Sequence, residues 1–362
     1  MNRKEEIEKN LNLDIMSKVI LILSALVIGF SFFSPWLLTL PANWDLDFSN
    51  SGQVGDTIGG IMNPFIALSG VLLTFLAFFI QFKANRVQYS QFRLELDEQK
   101  LQAEKDKIES QFYEMLRLHK ENVNEIRIVL TKTRYDSTGP VYSEQLISGR
   151  FLFDLLKSEF EICYFIAKEH FPEASQKELV NEAYGVFFLG LNQELVSKHE
   201  YFKVLQKIQK AHSDNEFHGV TAVIHHYSKV RNKYYLEYDL FKGHSSQLAH
   251  YYRHLFQTVK FIVNQSDRLL TYEDKRGYLR ILRSQLSNQE QAMLFYNWLS
   301  KFGHQWENEI NHFFTDYRMI HNLYDAMLVP EIKLNERKEF KRDFLTEKGR
   351  SQDPLFEYED WN

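Results

Sequence analysis

Between Val19 and Leu40 the chain runs VILILSALVIGFSFFSPWLLTL without a single charged residue. As a helix, that run is long enough to cross a hydrocarbon layer of about 30 Å, so it reads as a membrane span over about 19–40. A second uncharged run, TIGGIMNPFIALSGVLLTFLAFFIQF from Thr57 to Phe82, is loosened at its start by Gly59, Gly60 and Pro64. The firm part of this second span falls at about 61–82. LTLPANW after the first run offers no small-x-small cleavage site, so the first helix is expected to be retained rather than removed as a signal peptide. The mean hydropathy of -0.38 averages these runs against a long charged remainder and hides them.

Orientation follows from the basic residues. Arg3, Lys4, Lys9 and Lys18 precede the first span, and Lys83, Arg86, Arg93 and Lys100 follow the second, whereas the connecting loop carries Asp45, Asp47 and Asp56 and no basic residue. The positive-inside bias therefore predicts that residues 1–18 and everything after the hairpin of 19–82 lie in the cytoplasm, with Trp36 and Trp44 near the outer interface. Neither span has an ionisable residue in its interior, which favours an anchor in the lipid bilayer over a pump or proton relay. Gly55 and Gly59 form a GxxxG that either brings helices close or serves as a flexible entry.

After Phe82 neither Pro nor Gly occurs until Gly139, and Glu, Gln, Lys, Leu and Arg dominate, so a continuous helical stalk is predicted over 83–132. Apolar residues recur every seven positions at Ile80, Val87, Leu94, Leu101, Ile108 and Met115. The companion positions stay polar near the membrane and turn apolar at Phe112 and Ile126. This half coiled coil predicts either homo-oligomerisation through the stalk or an amphipathic helix folded onto the rest of the chain.

The segment TRYDSTGPVYS (133–143) reads as a loop, followed by a helical cytoplasmic domain over 143–328. The helical period is carried by Phe151, Leu155, Phe160, Ile162 and Phe165, and Ser-x-x-Glu capping boxes at Ser175/Glu178, Ser213/Glu216 and Ser287/Glu290 mark helix starts. No alternating strand pattern stands out, and only 15 Gly and 7 Pro argue against a many-stranded fold. The fold class is all-α. The tail, 330–362, reads as loosely ordered or packed on the surface, with Trp361 a docking candidate.

Composition excludes several functions. A net charge of -5 gives no global pull toward nucleic acid, leaving only local binding open, and the single Cys163 excludes an internal disulfide and a thiolate metal cage. No phosphate-binding glycine loop, Gly-x-Ser-x-Gly elbow or His-Glu-x-x-His occurs. No arginine is followed by histidine at the spacing of the helical nucleotide-binding ribonucleases of higher eukaryotes and prokaryotes. His250 and His254, four apart, are the only weak metal candidates, with His218, His225 and His226 upstream, and the reading assigns no metal site, no cofactor and no catalytic residue. Arg276, Arg280 and Arg283 fall on one helical face at i, i+4 and i+7, where they would bind phosphate or an acidic partner, or pair internally with carboxylates such as Glu273, Asp274 and Glu290.

Four stretches together resemble the putative phage abortive infection protein family, the AbiC-like membrane proteins of bacteria. They are GDTIGGIMNPFIALSGVLLTFLAFFIQF, FYEMLRLHKENVNEI, LAHYYRHLFQTVKFI and YLRILRSQLSNQEQAMLFYNWLS. The resemblance implies a two-span inner-membrane anchor bearing a cytoplasmic helical domain that stops phage multiplication at the cost of the infected cell, and the leading reading is that this domain recognises a phage-encoded product. It supplies no catalytic site. The residues it marks as functionally sensitive are His119, Asn122, Tyr252, Arg253, Arg280, Arg283 and Asn297. Two other activities stay open: a membrane-tethered nuclease or nucleotide-degrading toxin, and an oligomeric membrane-perturbing effector.

Overall fold

A computed structural model describes residues 15–38, 51–136, 139–192, 199–213, 238–334, 340 and 354–357. The first ten residues with Arg3, Lys4 and Lys9, the loop with Trp44, Asp45 and Asp47, His218, His225 and His226, and Trp361 lie outside them. The chain divides into two compact units, Met1–Ala103 and Glu104–Asn362.

The first unit holds α1 (Ile15–Leu38) and the greater part of α2 (Ser51–Glu125). Apolar side chains face outward from both, among them Leu26, Phe33, Val71 and Phe78, while small hydroxyls turn inward. Ser24 Oγ donates to Ile20 O at 2.8 Å, Ser31 to Val27 O at 2.9 Å and Ser69 to Phe65 O at 2.7 Å. Each hydroxyl is thus satisfied within its own helix, a requirement where water is absent. The ring of Phe30 meets that of Phe65 edge-on at 5.2 Å. By length and composition α2 can cross a membrane, and α1 contributes a shorter apolar stretch, Lys18–Ser34.

The second unit begins with the last turns of α2. Ile108 and Phe112, the firm end of the seven-residue frame, are buried in the core of this unit, and the Phe112 ring packs edge-on against Tyr278 at 5.0 Å. The helix stops at Glu125, short of the predicted 132, and the fold is not purely α. Residues 127–136 and 139–148 pair as an antiparallel hairpin, β1 (Arg127–Asp136) and β2 (Gly139–Ser148), where the sequence reading has helix and loop. The reason lies in the side chains: Ile126, Ile128 and Leu130 turn inward while Arg127 and Val129 turn out, a two-residue period that a helix cannot satisfy. Gly139, at φ +128°, supplies the positive φ at the turn.

The body follows as α3 (Leu152–His170), α4 (Gln176–Leu189), α5 (Glu200–Ser213), α6 (Ser245–Val263), α7 (Tyr272–Arg283) and α8 (Asn288–Leu299). Helices α3, α4 and α8 pack together, with α5 against α3 and α7 against α6. The Phe160 and Tyr296 rings lie 4.3 Å apart at the centre. Capping boxes at Ser175/Glu178 and Ser287/Glu290 start α4 and α8, and Thr271/Asp274, not singled out in the sequence, starts α7. Ser213 instead ends α5, and Glu216 lies outside the described residues. Phe151, expected on the inner face, precedes α3 and is exposed. In the tail, Ile332, Leu334, Phe340, Leu355 and Phe356 are buried, and Phe340 stacks on Trp298 at 4.9 Å, so these residues complete the core rather than decorate it.

Candidate functional site

Three polar clusters sit where α6 meets its neighbours, and they differ in how fully their groups are paired. The first is built on Glu159, in the middle of the apolar α3 and wholly buried. Its Oε1 accepts from Phe241 N at 2.8 Å, and its Oε2 accepts from Tyr238 OH at 2.6 Å and lies 2.8 Å from His244 Nε2. The loop that brings these donors in is held by a close backbone approach: a Cβ on Gly190 would lie 2.5 Å from Lys242 O, and one on Gly243 2.5 Å from Leu189 C. Phe241 is kept at φ +57° by this clamp. Burial, reinforced by the Glu159 charge, pushes the Tyr238 hydroxyl well above its usual range.

Glu290 anchors the second. It accepts from Ser287 N at 2.7 Å and from Tyr251 OH at 3.1 Å, with Arg150 Nε 3.7 Å away. On the neighbouring helical face of α6, Tyr252 OH donates to Met293 O at 3.2 Å, and nearby Asn297 Nδ2 donates to Tyr184 OH at 3.1 Å. Asn297 also closes on Gly303, where any Cβ would overlap its Oδ1.

The third cluster is unpaired. His119 on α2 is 1% exposed, and neither ring nitrogen has a hydrogen-bond partner; Asn122 Nδ2 and His254 Nδ1 are likewise buried without partners. The His119 and His254 rings lie nearly parallel at 6.3 Å, and Tyr251 approaches His119 at 5.5 Å. Burial, then the neighbouring His254 and Arg150, lowers the His119 imidazole to about 4, so it is neutral at physiological pH. Buried polar groups are nearly always paired, and among the described residues this junction collects three side chains that are not.

The predicted arginine face separates into three environments. Arg276 is buried, Arg280 is exposed, and Arg283 is half-buried with its Nη1 donating to Arg318 O at 3.0 Å. Burial and then the charges of Arg280 and Arg276 hold Arg283 down at about 10. Two of the three carboxylates expected to pair with this face serve as helix caps: Asp274 with Thr271 and Glu290 with Ser287. Arg253 is exposed on α6. His250 is exposed and His254 half-buried, and among the described residues no group of three or more His, Cys, Asp or Glu could hold a metal. The structure thus brings His119 and His254 together, buries the Asn122 amide about one turn further along α2, and places Tyr252 and Asn297 in separate hydrogen bonds. Sequence reasoning missed Glu159, Tyr238, His244 and Arg150, although a Glu with Leu156 and Ile162 three residues away on either side of it in a helix is a signal, since a carboxylate on an apolar helical face demands donors.

The body is therefore a helical domain with a two-stranded hairpin, its polar clusters lying where α6 meets helices on either side of it in the chain. Residues 243–327, the segment that supplies His244, Tyr251, His254, Glu290 and Asn297, match the family model described as "Putative phage abortive infection protein". This is the family that the sequence motifs resemble, and two of the four motifs, LAHYYRHLFQTVKFI and YLRILRSQLSNQEQAMLFYNWLS, lie inside the match. Comparisons with curated proteins and with solved structures give no match.

Proposed function

We propose that the protein is a membrane-anchored antiphage effector whose helical body meets a phage product in the cytoplasm and arrests the infected cell. The observation that carries this reading is the family match over 243–327, which covers α6 to α8 and with them most of the Glu290 cluster, together with His244 and His254 of the other two. The anchor reading is supported by the apolar α2 and by the shorter apolar stretch of α1, with Phe30 against Phe65. In this reading α1 and α2 both cross the bilayer and both termini face the cytoplasm, in keeping with the basic residues that flank the uncharged runs. Self-association would use Leu94 and Leu101 of the seven-residue frame, since Val87 is buried within the chain and Ile108 and Phe112 are occupied within the body.

The test is phage challenge of cells expressing the full chain, compared with cells carrying the empty vector. The expected result is fewer plaques and arrest of infected cells before burst, with escape phages mutated in the gene for the sensed product. Equal plaque numbers across a broad phage panel at normal membrane levels would refute the reading. Arg280, exposed on the matched segment, is the surface cation to test first. Arg280→Ala is expected to fold and insert normally yet weaken protection, because an exposed arginine contributes little to stability.

A further inference from the structure

We propose that the packing of His119 on α2 against His254 on α6, with the buried Asn122 amide one turn along α2, is a releasable joint, which opens when the protein acts. Opening in action rests on the antiphage reading above; the joint itself rests on geometry. Four side-chain nitrogens, His119 Nδ1 and Nε2, Asn122 Nδ2 and His254 Nδ1, are sealed from solvent without an acceptor or donor. Groups that could relieve them are committed elsewhere: Tyr251 OH bonds to Glu290, and Arg150 Nη2 donates to Gln285 O. Closing the joint therefore exchanges hydrogen bonds with water for none, and opening it restores them, so this contact is held well below the stability that apolar side chains would give it.

The surroundings make the weakness local. On a neighbouring face of the same helix, Tyr252 is bonded to Met293 O, and at its N-terminal end His244 lies against Glu159, so α6 is fixed to the rest of the body. Just beyond α2, Arg127 N donates to Gln247 Oε1 at 2.8 Å and Gln247 Nε2 donates back to Arg127 O at 3.2 Å, a two-bond clamp between the start of β1 and α6. The last turns of α2 are thus pinned beyond their C-terminal end and unsatisfied at His119 and Asn122. Opening about the Gln247 clamp hydrates the orphaned groups without breaking a hydrogen bond that they make. Local opening free energies vary widely within one protein, and moving parts come from the weak end of that range.

The experiment uses the full chain in detergent or membranes, with Asn122→Leu and His119→Phe as apolar replacements and His119→Gln as the polar control. If the joint is releasable, both apolar variants melt several degrees higher than the wild type, and amide hydrogen exchange over residues 112–125 slows by about tenfold or more. They also lose protection against phage at unchanged membrane level, while His119→Gln retains it. Using two positions guards against one variant that packs badly. Lower melting or faster exchange in both apolar variants overturns the joint, and so does slower exchange with full protection. A wild-type chain that protects against no phage would sink the antiphage reading alone, and the exchange result would still decide whether the joint exists.

Discussion

Glu159 and His119 are ionisable side chains buried on helices of the same body, and their surroundings treat them in opposite ways. Glu159 is surrounded by donors, so removing its carboxylate strands Tyr238, the Phe241 amide and His244 together. Glu159→Leu is expected to destabilise the body by about 3–5 kcal/mol, read as a large fall in melting temperature of the detergent-solubilised chain, because partners left buried without their acceptor are costly. A change within about 0.5 kcal/mol would show that the clamp does not hold the 238–244 loop. His119 carries a proton linkage of definite sign. Its imidazole is ordinarily near 6.5 and is lowered to about 4 in the fold by burial and by His254 and Arg150. Between those values the unfolded chain binds the extra proton, so the stability this site holds above pH 6.5 is lost as pH falls toward 4. Wild type is expected to lose melting temperature over that window more steeply than His119→Gln; parallel curves would rule the linkage out.

Among the elements, α2 joins two kinds of sequence logic. Its apolar first part follows the length rule for crossing a bilayer, whereas Ile108, Phe112 and Val123 near its other end are core residues of the second unit. Seven-residue spacing by itself does not separate a partner helix from a neighbouring one, and the structure assigns the outer positions to the body. Oligomerisation, if carried by α2, then falls to Leu94 and Leu101, which are only partly buried in the single chain. Leu94→Asp with Leu101→Asp is expected to convert crosslinkable oligomers to monomers while leaving the melting of the body unchanged. An unaltered crosslinking ladder would assign the contact to other residues. The hairpin β1–β2 shows the opposite lesson: Ile126, Ile128 and Leu130 turn inward, but apolar Val129 between them breaks the alternation and continues the seven-residue frame, and the run of helix formers before it masks the change of period.

For the molecule as a whole, the expected topology is the most direct consequence of the charge pattern. A reporter fused after Asn362 should be active only as a cytoplasmic protein, and a cysteine introduced near Ser51 should react with an impermeant reagent added outside. Protection of that cysteine in cells with a permeabilised outer membrane would overturn the two-span arrangement. The same experiment bears on the sensing role, because a body displayed outside the cell could not meet an intracellular phage product.

Composition and one-dimensional spacing already determine the apolar runs, the helical character of the body, two of its helix starts and its resemblance to the abortive infection family. These features depend on residues near one another in the chain, whose periodicity survives without knowledge of the fold. What the tertiary structure decided are the pairings across long separations: Glu159 with Tyr238, Phe241 and His244, Arg283 with Arg318 O, and the placement of Phe340 on Trp298. It also divided the arginine face, since helical spacing orients side chains relative to one another but cannot say which side of the helix the body covers. The unpaired junction of His119, Asn122 and His254 belongs to this second group as well. Each residue is unexceptional alone, and only the packing of two distant helices removes water from all three without supplying what water gave.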